Sequence, residues 1–374
     1  MNLEQSSAAP GLAPIPWAQP TLWGNESRYV SDAIASTWIS GGTYLDRFEK
    51  ELSRFCGGRF AAAVANGTAA IHAAYLAIGI VPGDEVIVPG FAFMAAANVA
   101  LHLHARPIFA EVDPETWCLR AEDVERCLSP RTRLIVPVHT YGNVCRMDAI
   151  LELAASRGIA VLEDAAESFA SRYRGSVSGT LGTMGTFSFQ ATKTITTGEG
   201  GMVVTADRAL HDRLCLYRSH GMSCRRYWHD VAGHNFRLTN FQAAMGCAQL
   251  EKLDEIIDQR RRVHRQYVRH LANLPGLFLQ VFPPEVDPVL WAMAVKLEDE
   301  AYPQGRDQVI AQLAERQIET RNGFYAPSQM GLYGAPPLPV CEDISRHVIS
   351  LPTFPTLTDE QIEYVCRRLA ALRK

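Results

Sequence analysis

The chain has 374 residues, of which 47% are hydrophobic and 20% are charged, a composition typical of a globular protein with a large core. The formal net charge of −4 disfavours nucleic-acid binding, although it leaves a local basic patch open. The longest apolar stretch, residues 91–103, is too short to cross a bilayer, and no signal-peptide pattern occurs early in the chain. Nine cysteines without a CxxC pair favour reduced thiols and a cytoplasmic protein.

The first part of the chain contains a candidate anion site. Residues 1–14 are rich in Ala, Ser and Pro, and we expect a flexible N-terminus there. Residues 61–65 predict a strand, and Asn66-Gly67-Thr68 then opens a predicted helix over residues 69–78. Such a junction can bind phosphate, because the unpaired N–H groups and the positive end of the helix dipole point to one place. A tight turn with Thr68 as the N-cap is the alternative interpretation.

The order of the predicted elements indicates two domains. Strands alternate with helices through the first half of the chain, which predicts a largely parallel sheet with helices on both faces. A helix is predicted from Thr239 past Glu251 to Arg269. We expect a large domain over residues 15–250 and a small C-terminal α/β domain over residues 251–374.

The most informative stretch covers residues 159–205. An apolar run ends in Glu163 and Asp164, and a second β-rich run leads to Lys193, just before a glycine cluster. Buried strands that end in charged residues place those residues at the rim of a sheet, where α/β sites are built. A lysine amine can react with a carbonyl carbon, and a carboxylate can hold a protonated ring nitrogen. Together they indicate pyridoxal phosphate (PLP) chemistry, although either residue alone is as readily an ordinary surface or strand-end charge.

The pattern EDAAES…G(x)₂G…FSFQATK…TTGEGG resembles the DegT/DnrJ/EryC1/StrS family of sugar aminotransferases. The resemblance begins near IPWAQPTLWGNE and runs almost to the C-terminus. It implies the aspartate aminotransferase-like fold, PLP-dependent fold type I, with a mostly parallel seven-stranded sheet in the large domain. It also implies an aminotransferase that uses glutamate and a nucleotide-linked 4-keto-6-deoxyhexose. The strings TWISGGTYLDRFEKEL and HNFRLTNFQAA are most similar to members that act on GDP-4-keto-6-deoxymannose.

The resemblance also implies roles for individual residues. Lys193 would bind PLP covalently and move a proton during the reaction, and because some relatives with His at this position catalyse dehydration, a lysine favours aminotransfer. Asp164 would keep the pyridine nitrogen protonated. The other implied cofactor contacts are Gly67, Thr68 and Ser188 at the phosphate, Phe93 stacked on the ring, and Glu167 near the ring hydroxyl. An anionic Glu167 would repel a phenolate there, so we expect either a shared proton or a rotated side chain.

Asn235 aligns with an Asn that reaches the phosphate of a neighbouring subunit, so the resemblance implies a homodimer with shared active sites. Arg237 and Tyr325 are candidate substrate contacts. Ser328 stands where relatives have a His near the sugar, which leaves the identity of the substrate open.

Two other functions remain open at this point. The acceptor could be a different keto-sugar or a keto-cyclitol of an antibiotic pathway, with the same cofactor. A non-catalytic regulator with the same fold is the third interpretation, and such regulators usually carry a fused DNA-binding domain. His102 and His104 have the spacing of metal ligands but no acidic or cysteine companions, so we predict no metal site.

Overall fold

The computed structural model describes residues 13–374, and most of the predicted flexible N-terminus lies outside the described residues. Within that range no helix is both long and apolar enough to cross a membrane. The helices are α1 (Glu26–Ala35), α2 (Thr43–Phe55), α3 (Gly67–Ile78), α4 (Ala95–His102), α5 (Ala121–Cys127), α6 (Met147–Arg157), α7 (Arg208–Arg218), α8 (Asn240–Glu251), α9 (Leu253–Leu271), α10 (Arg306–Ala314), α11 (Pro339–His347) and α12 (Asp359–Ala370). The strands are β1 (Phe60–Val64), β2 (Glu85–Pro89), β3 (Arg106–Ala110), β4 (Thr132–Ile135), β5 (Ala160–Asp164), β6 (Arg172–Tyr173), β7 (Ser176–Val177), β8 (Met184–Ser188), β9 (Gly201–Thr205), β10 (Leu277–Leu279), β11 (Val286–Asp287), β12 (Met293–Leu297), β13 (Arg321–Asn322) and β14 (Val348–Leu351).

A seven-stranded sheet forms the centre of the large domain, in the order β1-β9-β8-β5-β4-β2-β3. Strand β9 is antiparallel to both of its neighbours, and the other neighbouring strands are parallel. The prediction of a mostly parallel seven-stranded sheet is therefore confirmed. Strands β5 and β8 are adjacent and parallel, so Asp164 and Ser188 end at the same edge of the sheet. Sites of α/β proteins form at this edge.

Helices cover both faces of this sheet, as β1 illustrates. Ala62 and Val64 pack in one core with the apolar faces of α3 and α4. Ala61 and Ala63 point the other way and pack with α1, α2 and α8. Because consecutive side chains of a strand face opposite sides, a sheet buried on both faces has continuous apolar strands. The strand FAAAV has this pattern.

A second, antiparallel sheet has the order β10-β12-β14-β13 and packs against α9 and α10, while α12 packs on these two helices and shares the same core. Its core draws on residues between 263 and 369, together with Ile15 from the beginning of the described chain. Helix α9 belongs to both cores, because Ile256 packs with the large sheet and Val263 with the small one. We propose that the domain boundary lies within α9, a few residues beyond the predicted position at residue 250.

The single long helix predicted from Thr239 to Arg269 is wrong. The structure has two helices, α8 and α9, and Lys252 between them leaves helical geometry with φ −109° and ψ 11°. Neither Gly nor Pro marks the break. The break redirects the chain from the core of the large sheet toward the small sheet, which is a tertiary requirement that local propensity does not encode.

Candidate active site

A cavity of about 870 Å³ lies at the carboxyl edge of the large sheet, a volume typical of ligand and cofactor sites. Most of the predicted site residues lie in its wall, brought together from α3, β5, β8 and the segments that follow them. They are Gly67, Thr68, Phe93, Asp164, Glu167, Ser188, Lys193 and Asn235. Arg237 and Tyr325 are not among the residues that line it.

One end of the cavity is formed by the N-terminus of α3. The side chain of Asn66 accepts a hydrogen bond from the backbone N–H of Ala69 at 2.8 Å, so Asn66 is the N-cap, not Thr68. The first N–H groups of a helix have no partner within the helix, and Gly67 and Thr68, the first two residues of α3, both line the cavity. A Cβ atom on Gly67 would lie 2.9 Å from the Cβ of Ser188, so glycine allows the helix end and the Ser188 hydroxyl to share one small space.

The two acids at the end of β5 face opposite sides. Glu163 is fully buried away from the cavity and accepts hydrogen bonds from the backbone N–H groups of Gly179, Leu181 and Gly182 at 2.9, 2.6 and 2.6 Å. Asp164 faces the cavity, and its carboxylate accepts from the N–H of Ala166 at 3.1 Å. Burial raises the pKa of Asp164, and the ammonium of Lys193 opposes that rise.

Lys193 lies in the irregular segment after β8, with its Nζ atom 3.7 Å from the centroid of the Trp291 ring. Burial lowers the pKa of Lys193, while Glu167 and Asp164 act in the opposite direction. A desolvated amine loses its proton more readily, which makes it a better nucleophile. The environment therefore fits a reactive lysine better than a surface one.

Glu167 is held next to this lysine by the backbone. Its Oε2 accepts a hydrogen bond at 2.9 Å from the N–H of Tyr141, a residue with a φ of 59° in the left-handed region. Such backbone strain clusters at functional sites. Burial raises the pKa of Glu167 to about 7, against the opposing effect of Lys193. A carboxyl group with this pKa exchanges its proton near neutral pH.

Aromatic side chains form the remaining wall. Phe93 is 63% exposed and lines the cavity, where its ring is 6.3 Å from that of Phe324. Phe324 stacks on Tyr141 with a ring distance of 5.3 Å and an interplanar angle of 9°, and Tyr141 stacks in turn on Trp291. An exposed apolar ring inside a cavity offers a face on which a flat ligand can stack.

Sequence reasoning missed the wall contributed by the small domain and the N-terminal segment. Arg321, on β13, lines the cavity and lies 4.1 Å from the ring centroid of Trp17, measured from its Cζ atom. Trp17 donates through Nε1 to Ser350 at 2.9 Å, which fixes the indole that Arg321 covers. These residues come from distant parts of the chain and share no motif, so no local signal marked them.

Two of the predicted substrate contacts lie elsewhere in this protomer. Tyr325 is half exposed and lies near Arg306, while its neighbour Phe324 faces the cavity. The motif located the segment but not which of its two adjacent aromatic rings faces the cavity. Arg237 donates to the side chain of Asn235 at 3.2 Å on the exposed surface.

Asn235 lines the cavity of its own chain, so its predicted contact with a neighbouring subunit stays a prediction.

The residues present fit PLP. The N–H groups of Gly67 and Thr68 and the Ser188 hydroxyl match a phosphate, Asp164 matches a protonated ring nitrogen, and Phe93 matches a flat ring. Within the described residues no group of three or more His, Cys, Asp and Glu side chains is arranged to hold a metal ion. Fold and cavity together define an enzyme of the PLP-dependent fold type I class.

Comparisons with known proteins give the family. The model of the DegT/DnrJ/EryC1/StrS aminotransferase family matches residues 20–370, and the chain belongs to this family. It is 41% identical to the GDP-perosamine synthase of Escherichia coli O157:H7 over 95% of this chain and 97% of that protein. It is 42% identical to the GDP-perosamine synthase of Caulobacter vibrioides over 96% and 98%. The solved aminotransferase TlmJ from Streptoalloteichus hindustanus superposes with a TM-score of 0.91 at 30% identity, covering 96% of this chain and 98% of that one.

The chain is therefore a PLP-dependent sugar aminotransferase. The predictions of the family, of fold type I and of PLP as the cofactor are confirmed.

Proposed function

We propose that the enzyme transfers the amino group of glutamate to C4 of GDP-4-keto-6-deoxymannose and thereby forms GDP-perosamine. The observation that carries this proposal is the similarity of nearly the whole chain to two GDP-perosamine synthases, at 41% and 42% identity. The cavity, whose wall includes the buried amine of Lys193 and the guanidinium of Arg321, supports it.

The residues of the large domain would hold the cofactor and move protons. PLP, when bound, supplies the electron sink that lets nitrogen pass between two carbonyl carbons. Lys193 would hold the cofactor and then move the proton at the α-carbon of the donor, for which its lowered pKa suits it. Asp164 would bind the protonated ring nitrogen, and the N-terminus of α3 with Ser188 would bind the phosphate.

Glu167 would share its proton with the ring hydroxyl. Its raised pKa, about 7, supports the shared-proton alternative over a rotated side chain, and the N–H of Tyr141 holds the carboxyl group in place. A protonated carboxyl donates a hydrogen bond to an oxygen that an ionised one would repel.

Arg321 would bind an anionic group of a substrate. Among the described residues that line the cavity, Arg321 is the one arginine, and it is held against Trp17. A guanidinium binds carboxylates and phosphates in a bidentate manner. The carboxylate of the amino donor and the diphosphate of the sugar nucleotide are therefore both suitable ligands. Measuring the two half-reactions of Arg321→Ala separately will show which substrate depends on it.

We also propose that the enzyme works as a homodimer in the cytoplasm. Asn235 lies at the edge of the cavity in an exposed segment, where a second subunit can approach. A homodimer with two-fold symmetry would place the same segment of each chain at both cavities. Sedimentation of the purified protein across a concentration series tests this point.

Ser328, which stands where relatives have a His, lies outside the cavity wall of this protomer. Its hydroxyl donates to Glu342 at 2.7 Å, and it is not among the residues that line the cavity of this protomer. The side chain therefore acts here as part of the turn before α11.

The test is a comparison of acceptors with glutamate as the donor. GDP-, dTDP- and UDP-linked 4-keto-6-deoxyhexoses and a keto-inositol are offered in turn, and amine formation is followed by mass spectrometry. We expect the highest kcat/KM with the GDP-linked sugar. A higher kcat/KM with the keto-inositol would replace the proposed acceptor with a keto-cyclitol, and no transfer to any acceptor would contradict the enzyme function itself.

A further inference from the structure

A buried arginine, Arg260 on α9, connects the lysine segment to the small domain. Its side chain is 3% exposed, and its Nη1 atom donates to the carbonyl oxygens of Leu290 and Trp291 at 3.0 and 3.2 Å. Its Nη2 atom donates to the carbonyl oxygen of Lys193 at 3.2 Å. One arginine therefore binds both the segment that carries the reactive amine and the segment that carries Trp291.

The burial of Arg260 is unfavourable and calls for a reason. Its Nε atom has no hydrogen-bond partner among the described residues, and burial is the sole influence that lowers its pKa, to about 10. Buried charges are normally paired with an opposite charge, and this guanidinium has carbonyl oxygens as its partners. An unfavourable group of this kind, next to a catalytic segment, suggests a role in function beyond stability.

Trp291 completes the arrangement. Its Nε1 atom donates to the carbonyl oxygen of Thr192 at 3.0 Å, and the Nζ atom of Lys193 lies 3.7 Å from the centroid of its ring. Both carbonyl oxygens at residues 192 and 193 are thus bound, one by the indole and the other by Arg260. The face of an indole attracts an ammonium group, most strongly in a desolvated site.

The segment needs such support because it has no regular structure. Lys193 follows β8 in a run of turns and bends, so neither a helix nor a sheet fixes its backbone. Positioning of a reacting group within a fraction of an ångström has large effects on rate. During amino transfer the lysine amine is released and must return, and a place that holds the free amine keeps it near.

We propose that Arg260 and Trp291 are positioning residues for Lys193. Arg260 fixes the backbone of Lys193 and Trp291, and the indole face holds the released ammonium beside the cavity. This inference rests on the proposed role of Lys193 and extends it to residues in α9 and in the segment before β12.

The test measures how fast the full-length protein without cofactor binds PLP covalently, as a function of pH, from the visible absorption of lysine-bound PLP. The rate should rise with pH to a plateau as the amine loses its proton. The plateau rate depends on the position of the amine, and the pH at the midpoint of the rise depends on its pKa. We expect Arg260→Met to lower the plateau about 10- to 100-fold. We expect Trp291→Leu to move the midpoint to lower pH by about 0.5 unit, because the ammonium loses its cation–π partner.

Arg306 provides the matched control, since it is also a buried arginine that donates to a backbone carbonyl, that of Ser345, and lies away from the cavity. Arg306→Met should lower thermal stability and leave both plateau and midpoint unchanged. If Arg260→Met does not fold, Arg260→Lys replaces it in the same test. Because lysine keeps the charge but loses the guanidinium contacts in part, its plateau rate should lie below that of wild type and above that expected for Arg260→Met.

A plateau at the wild-type value in either Arg260 variant, with a stability loss like that of Arg306→Met, would show a merely structural arginine and overturn the proposal for Arg260. An unchanged midpoint in Trp291→Leu would overturn the role of the indole. Lys193→Ala separates these outcomes from a failure of the proposed function. Covalent binding that persists in that variant means that another lysine holds PLP.

Discussion

The two consecutive carboxylates at the end of β5, Glu163 and Asp164, have contrasting environments. Glu163 is 0% exposed and its two oxygens accept three backbone N–H groups and the Nε2–H of His139, at 3.0 Å. The N–H of Cys145 donates to Nδ1 of His139, so that ring carries its proton on Nε2. Glu163 is therefore saturated and holds the loop around residues 179–182 to the sheet.

Asp164 is the opposite case. It is 4% exposed, and among the described residues its carboxylate accepts one hydrogen bond, from the backbone N–H of Ala166. A buried carboxylate with free acceptor capacity is energetically unfavourable unless a cation pairs with it. The end of β5 therefore has two faces. On the structural face, the protein supplies all the hydrogen-bond donors of Glu163. On the chemical face, Asp164 has acceptor capacity left for a ligand.

The largest effect on the chemical face is expected for Lys193→Ala. Loss of the proton transfer alone should lower kcat by about 10²–10⁴-fold, since no other amine lies in the described cavity wall. The visible absorption of lysine-bound PLP should disappear as well. Lys252→Ala, which removes a surface lysine paired with Glu255, is the control and should match wild type in both measurements.

Asp164→Asn should have the next largest effect. It removes the charge that would hold a protonated ring nitrogen, and kcat should fall about 10²–10³-fold, the range for loss of one preorganised electrostatic partner. The melting temperature of the protein without cofactor should not fall, because a poorly satisfied buried charge is removed. A variant with normal kcat would contradict the chemical role of this face.

Glu163→Gln should lower stability and leave PLP binding intact. An amide places an NH₂ group against N–H donors, and we expect a loss of about 1–3 kcal/mol in the free energy of unfolding. Denaturant titration of the protein without cofactor measures this loss. Lysine-bound PLP should still form at low temperature. Loss of PLP binding from a fully stable variant would show that the two faces are not separate.

The last effect concerns the pH dependence of stability and is small over any single pH unit. Glu167 has a folded-state pKa of about 7, raised from 4.5 chiefly by burial, so between these values the folded state binds more protons than the unfolded state. The stability of the protein without cofactor should therefore fall as pH rises from about 4.5 to 7, by up to about 1.4 kcal/mol per pH unit from this group. Glu167→Gln should flatten this slope, and equal slopes in the two proteins would contradict the raised pKa.

The chemical face was largely predictable from the sequence, whereas the part of the cavity wall contributed by the small domain was not. Asp164 and Ser188 end adjacent parallel strands and Lys193 follows the second of them, so motif and topology locate all three at one edge of the sheet. Arg321 and Trp291 reach the cavity from the small domain through long-range packing, which leaves no local pattern. The largely parallel sheet followed from strand alternation and its seven strands from the family resemblance. The break at Lys252 followed from neither, because tertiary packing sets it.

The proposed chemistry requires Lys193 to be the residue that binds PLP. The chain contains five lysines, which makes the assignment unambiguous: Lys50, Lys193, Lys252, Lys296 and Lys374. Borohydride reduction of the protein loaded with PLP, followed by peptide mass mapping, identifies the lysine that carries the label. We predict that the label lies on Lys193 in a one-to-one ratio with the chain. A label on any of the other four lysines, with Lys193 unmodified, would contradict the account.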